Sequence, residues 1–197
     1  MICEEKLERL FARNGGTVTS AEANANGISN VYLYRLAESG RIERVAHGVY
    51  ISADTMLDKM YVAQLKRTKA IYSHETALFL HDLTDRDPIG YTVTVPTGYN
   101  RNLLADDGFT VFSIKKELHL IGVTKTETMF GNKVNVYNLE RTICDCLRSR
   151  NQLDAAVVVD AIKRYAKRKD KNLHQLTDMA ETFKVSKLLR NYMEVLL

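Results

Sequence analysis

No apolar run in this chain is long enough to cross a bilayer. The longest, around Ala155–Val159, falls far short of the roughly 20 residues a spanning helix requires. The N-terminus MICEEKLERL has neither a basic leader nor an apolar stretch behind it, so secretion is not expected. Cysteine is scarce and odd in number. Cys3, Cys144 and Cys146 offer only a Cys-x-Cys pair, which is neither a zinc nor a redox spacing. Reduced thiols and a cytoplasmic location are the expectation. The phosphate-binding loops G-x-x-x-x-G-K-[ST] and G-x-G-x-x-G do not occur, nor does a G-x-S-x-G nucleophile turn. In SHETALFLHD the zinc-protease pattern would need a histidine at Leu78, so His74 and His81 are read as structural. The only acid-x-Lys triplet, Glu4-Glu5-Lys6, has no preceding acid to complete a nuclease metal site. Asp85, Arg86 and Asp87 fit a polar turn closed by Pro88, and Arg141 and Asp145 fit an i, i+4 ion pair. No repeat, low-complexity tract or flexible linker stands out. The expectation is a protein that is not an enzyme and has no cofactor and no metal.

What is present is an ordinary globular composition, 45% apolar and 26% charged, in a chain of 197 residues that suffices for one large domain or two small ones. At the N-terminus, Glu4–Arg13 puts Leu7, Leu10 and Phe11 on one helical face before the stop Asn14-Gly15-Gly16. Thr19 with Glu22 makes a capping box for a helix barely two turns long that ends at Gly27. Ser29 then caps a helix from about Asn30 to Ser39, stopped by Gly40. Val31, Leu33 and Leu36 can supply its apolar side, although not all can face the core at once. Behind it, RIERVAHGVYI reads as two short strands around Ala46-His47-Gly48. Two helices joined by a glycine-containing turn and followed by a hairpin form a winged helix-turn-helix, whose second helix lies in the DNA major groove. Ser29, Asn30, Tyr32, Tyr34 and Arg35 are the candidate base-reading residues, and Arg41, Arg44 and His47 the candidate phosphate contacts.

From about Ala53 the pattern changes. A helix capped by Asp54 or Thr55 and another capped by Ser73 precede strand-like runs at Gly90–Pro96, Phe109–Ile114 and His119–Leu139. Helices return at Leu139–Arg148, Leu153–Arg168, Leu173–Phe183 and Val185–Leu197. The fold class is therefore α+β, with a DNA-binding domain over residues 1–54 and a larger mixed α/β domain with C-terminal helices over 55–197. The net charge is +4, but Lys163–Lys171 concentrates six basic residues against one acid while residues 1–54 are close to neutral. Phosphate neutralisation supplies much of any DNA affinity, so Lys163, Arg164, Lys167, Arg168 and Lys169 are expected to add contacts to DNA beside the main site. A solvated helix face, or a site for a toxin, tRNA or another acidic partner, would account for the same charges.

In order along the chain, the segments SGRIERVAHGVYI, YSHETALFLHDLTDRDP, YTVTVP and VYNLERTICDCLR resemble the AbiEi family of type IV antitoxins from abortive-infection phage-defence loci. The resemblance implies an autorepressor that binds inverted repeats in the promoter of its own operon. It also implies that the larger domain is an antitoxin domain that neutralises a nucleotidyltransferase-like toxin, without need of a stable complex with it. The rival expectations are a winged-helix regulator whose C-terminal domain senses a small ligand, and an enzyme acting on nucleic acid.

Overall fold

A computed structural model describes residues 3–196. The chain divides into two compact units, residues through Thr68 together with Glu127–Lys133, and Lys69–Thr126 together with Val134 onward. The first unit thus runs past the junction expected near residue 54.

The first unit opens with α1 (Cys3–Arg13), whose acidic first turn and basic last turn complement the helix dipole. Strand β1 (Thr17–Thr19) follows, then α2 (Ser20–Ala25), α3 (Asn30–Glu38), β2 (Ile42–Ala46), β3 (Val49–Ser52) and α4 (Lys59–Lys66). Leu7, Leu10 and Phe11 of α1 close a core with Val18, Ala23, Ile28, Leu33, Leu36, Ile42 and Tyr50. The capping expectations at Thr19 and Ser29 hold. Thr19 and Glu22 form the complete capping box, and the Ser29 hydroxyl accepts a bond from the Tyr32 N–H at 3.2 Å.

Three features of this unit are not given by the sequence reading. Thr17–Thr19 is a strand, pairing antiparallel with β3 to give the sheet order β1-β3-β2. At three residues it is too short for a strand period to show in the sequence. The fourth helix starts at Lys59 and is capped by Asp58, not by Asp54 or Thr55. Thr55 is instead held in a turn by Ser52 and packs against Gly16, where a Cβ would fall 1.8 Å from its hydroxyl oxygen. Asp58 has a second task that no local pattern could reveal. While one carboxylate oxygen caps α4 through the Tyr61 N–H, the other accepts bonds from the Thr128 hydroxyl at 2.5 Å and the Asn132 amide at 2.9 Å, which ties residues 127–133 into the unit.

The second unit holds a five-stranded sheet of order β6-β5-β4-β8-β7, built from β4 (Ile71–Tyr72), β5 (Thr92–Pro96), β6 (Thr110–Ile114), β7 (Val123–Glu127) and β8 (Lys133–Tyr137). Strands β5 and β6 run parallel, and β4 runs antiparallel to β5 and parallel to β8. The helices are α5 (His74–Leu80), α6 (Asn102–Asp106), α7 (Lys116–His119), α8 (Leu139–Arg148), α9 (Ala155–Lys167), α10 (Leu173–Thr182) and α11 (Ser186–Leu196). The expected C-terminal helices are all present; residue 197 lies outside the described residues. Helix α8 is buried from Glu140 to Leu147, with α5, α9 and α10 packed against it. Among the described residues no helix is long and apolar enough to cross a membrane.

Burial of α8 places a guanidinium in the core. Arg141 is inaccessible to solvent, and its planar group lies between the rings of Tyr137 and Phe183, 4.0 and 3.8 Å from their centroids. Its Nε donates to Asp145 at 2.9 Å, and Nη1 donates to the carbonyls of Leu118 and Ile121 at 3.0 and 2.8 Å. Arg148 approaches the other Asp145 oxygen at 3.2 Å. Burial pushes the Asp145 carboxyl upward against the pull of the two arginines. The i, i+4 pair expected from the sequence is thus a buried anchor rather than a surface contact.

His74 is equally enclosed. It stacks on Phe112 at 3.7 Å, and its two ring nitrogens lie 3.0 Å from the hydroxyls of Ser73 and Ser149. Burial, followed by the charges of Arg148 and Arg141, lowers its pKa to about 3, so the ring is neutral. Its φ of +47° is a strained conformation for a non-glycine residue, held here by this packing. Ser73 occupies the N-cap position of α5 but makes no capping bond; its hydroxyl accepts from Thr94 instead. His81 is partly buried and bonded to the Tyr137 carbonyl at 2.7 Å, in keeping with its structural reading.

Candidate nucleic-acid interface

Helix α3 is amphipathic in the plain sense that Leu33 and Leu36 point into the core, with Tyr32 and Ala37 packed at the margin. At 100° per residue, this leaves Asn30, Val31, Tyr34, Arg35 and Glu38 to face outward. Beside them stands the hairpin β2–β3. In its turn His47-Gly48, Gly48 adopts a φ of +68°, in the left-handed region that glycine enters without steric cost. A β-bulge between Arg44 and Ala46 shifts the register, which increases local twist and re-aims the strand's side chains.

The result is a groove of about 680 Å³ bordered by α3, the start of α2 and the hairpin turn. Asn30, Val31 and Tyr34 line one side, and Arg44, His47 and Gly48 line the other. Arg44 and His47 are linked by a 3.2 Å contact from a guanidinium nitrogen to Nδ1. Both are exposed, as are Asn30 and Tyr34.

Of the residues singled out from the sequence, the structure brings together Asn30, Tyr34, Arg44 and His47. The others are placed differently. Ser29 spends its hydroxyl on the α3 cap. Tyr32 is half-buried against the core, because its position on α3 lies next to Leu33 and Leu36 on the inner side. Arg35 is exposed on the outer face but does not line the groove. Arg41 pairs with Glu4 of α1 and lies with it in a separate depression that includes Ser52 and Asp54. That pairing raises its pKa, and a phosphate contact by Arg41 would have to displace Glu4.

In the second unit the basic segment is partly neutralised. Arg164 is bonded to Asp85 and Asp160, and Arg168 grips Asp170 through two nitrogens at 2.8 Å while donating to the His81 carbonyl. Lys163, Lys167 and Lys169 are exposed. Asp85 and Arg86, read from the sequence as a polar turn, are spent on Arg164 and Asp154. Among the described residues, no three His, Cys, Asp or Glu side chains gather in a way that would hold a metal ion.

Sequence reasoning missed two things here. Val31, counted among the residues able to supply the apolar side of α3, is 61% exposed and lines the groove. Lys6, Arg9 and Arg13 form a basic face of α1 beside Asn26, whose carbonyl lies 3.5 Å from the Lys6 ammonium. The i, i+3, i+7 spacing was a visible signal, masked by the three glutamates on the same helix.

Helix, turn, helix and hairpin in this order define the winged helix-turn-helix class, whose members present their second helix to DNA. Residues 5–53 match the model of a family described as transcriptional regulator, AbiEi antitoxin. The resemblance read from the sequence is borne out over that segment. Among solved structures, the chain is similar to the RV2827C protein from Mycobacterium tuberculosis, with a TM-score of 0.60 over 96% of this chain and 77% of the other. At 13% identity the likeness is one of fold. No curated protein matches the chain.

Proposed function

We propose that the protein is a DNA-binding antitoxin that represses its own operon by recognising inverted repeats in the promoter. The observation that carries the DNA half is the groove that joins the outer face of α3 to the hairpin turn, with Asn30 and Tyr34 opposite Arg44 and His47. Asparagine on a recognition helix suits the paired donor and acceptor of adenine, and a cationic hairpin beside it suits the phosphates flanking the groove. Asn30 and Tyr34 are assigned to the base-edge contacts, and Arg35, exposed on the outer face of α3 outside the groove, to base edges or nearby backbone. Arg44 and His47 are assigned to phosphate, with Lys163, Lys167 and Lys169 as supplementary contacts to flanking DNA. Arg41, Arg164 and Arg168 are set aside because carboxylates already hold them. The antitoxin half rests on the family resemblance: the larger unit counteracts a nucleotidyltransferase-like toxin without a stable complex, in a type IV phage-defence system.

The test uses the DNA immediately upstream of the gene. Full-length protein binds it in preference to a scrambled duplex, and Asn30→Ala costs about 1–3 kcal/mol on the preferred sequence while relaxing the preference. Binding without preference, or preference unaltered by Asn30→Ala, contradicts the assignment. Co-expression with a nucleotidyltransferase-like toxin encoded in the same operon tests the second half, since growth arrest by such a toxin should be relieved by the full chain.

A further inference from the structure

Val31 is the residue of α3 that the fold does not explain. The other aliphatic side chains of the helix, Leu33 and Leu36, are buried, whereas Val31 sits in the first turn with 61% of its surface exposed. A β-branched residue has below-average helix propensity, so neither packing nor local conformation favours valine there. Single exposed apolar residues are common and need no explanation by themselves. Three further observations set this one apart. It lines the same groove as Asn30, Tyr34 and Arg44. The groove continues past it onto the aliphatic side chains of Ala21, Val49 and Leu65. The neighbouring Asn30 side chain makes no hydrogen bond to any described residue, which leaves its amide free for an external partner.

Given the DNA-binding reading above, on which this rests, we infer that Asn30 and Val31 read an A·T-containing site, with Val31 packed against the C5-methyl group of a thymine. The chemistry is specific to one base. In the major groove only thymine presents a methyl group, and only adenine presents the N7 acceptor beside the N6 donor that an asparagine amide can bridge. Adjacent positions in the first turn of a recognition helix are those that approach base edges most closely. The groove thus supplies an apolar contact and a bidentate polar contact side by side, a pair that G·C sequences satisfy with neither element.

The experiment selects preferred duplexes from a randomised pool with the full-length protein. Each thymine of the best duplex is then replaced singly by deoxyuridine, which removes the methyl and keeps the pairing. Burial of one methyl corresponds to about a fourfold change in affinity, so at least one position should lose about that factor in the wild-type protein. In Val31→Ser the same replacement should cost nothing. Because Val31 is exposed, the variant should unfold at the same temperature as the wild type, so lost discrimination reads as lost contact. Sequence-specific binding with no uracil-sensitive position, or a penalty that persists in Val31→Ser, overturns the inference and leaves the DNA reading standing. Failure to enrich any sequence overturns both.

Discussion

Replacing Arg141 with methionine should be among the most damaging single changes in the second unit. Methionine fills much of the space between Tyr137 and Phe183 but leaves one oxygen of Asp145 and the carbonyl of Ile121 without donors, and the carbonyl of Leu118 with backbone donors alone. Asp145 is inaccessible to solvent, and only Arg148 would then face it. Removing one partner of a buried ion pair typically costs about 3–5 kcal/mol, because the remaining charge is stranded. The stranded carboxyl, already pushed upward by burial, would rise further and fold protonated. The unfolded chain would stay ionised, so the destabilisation of Arg141→Met should grow as pH rises above the already raised pKa of Asp145 in the wild-type fold. The pair itself, by contrast, is replaceable. Arg141→Met combined with Asp145→Leu removes both charges and should recover much of the loss. Urea unfolding followed by circular dichroism measures all three variants, with the effect appearing in the transition of the second unit. A loss below about 1 kcal/mol in Arg141→Met, or a double variant no more stable than the single, would refute this view of the core.

Two further expectations follow from titratable and charged groups. His74 ionises near 6.5 when exposed but only at about 3 in the folded chain, so the unfolded state takes up its proton first as pH falls. The folding stability of the second unit is therefore complete above pH 6.5 and should fall by up to about 1.4 kcal/mol per pH unit through the window down to 3. His74→Gln should flatten that slope in urea midpoints measured at pH 7, 6 and 5; an unchanged slope would contradict the buried neutral ring. On DNA, Arg44→Ala should lower the dependence of log K on log salt by about 0.9 while leaving sequence preference intact. Lys163→Gln with Lys167→Gln and Lys169→Gln should lower that slope too, and an unchanged slope removes these lysines from the DNA surface.

Much of the first unit was legible because its signals are local. Thr19 with Glu22, Ser29 before an apolar helix, and Gly48 in a two-residue turn each specify their conformation within four residues. The missing parts are long-range. Strand β1 exists through its partner β3, more than thirty positions away. The second oxygen of Asp58, the α4 cap, is claimed by Thr128 and Asn132, about seventy positions on. The same contrast separates the candidate site residues. The exposed face of α3 was readable from its period only to the extent that Leu33 and Leu36 had to be inside, which left Tyr32 and Val31 to be exchanged: the tyrosine is half-buried and the valine exposed. Of the hairpin residues, Arg44 and His47 flank the turn as its sequence implies, whereas the pairing of Arg41 with Glu4 could not be read locally, because Glu4 lies on another element. In the second unit, a run of six basic residues suggested a free patch, but Asp85, Asp160 and Asp170 engage its two arginines. Charge density along a sequence overstates charge density on a surface whenever the counter-charges fold back onto it.

The measurement that bears most directly on the central claim is a salt series of full-length protein binding to its own upstream DNA and to a scrambled duplex of equal length. A sequence-specific winged-helix repressor predicts tighter binding to the upstream duplex at every salt concentration. It also predicts a log–log slope that reflects several neutralised phosphates and flattens in Arg44→Ala. Equal affinity for the two duplexes, or binding insensitive to salt, would contradict it.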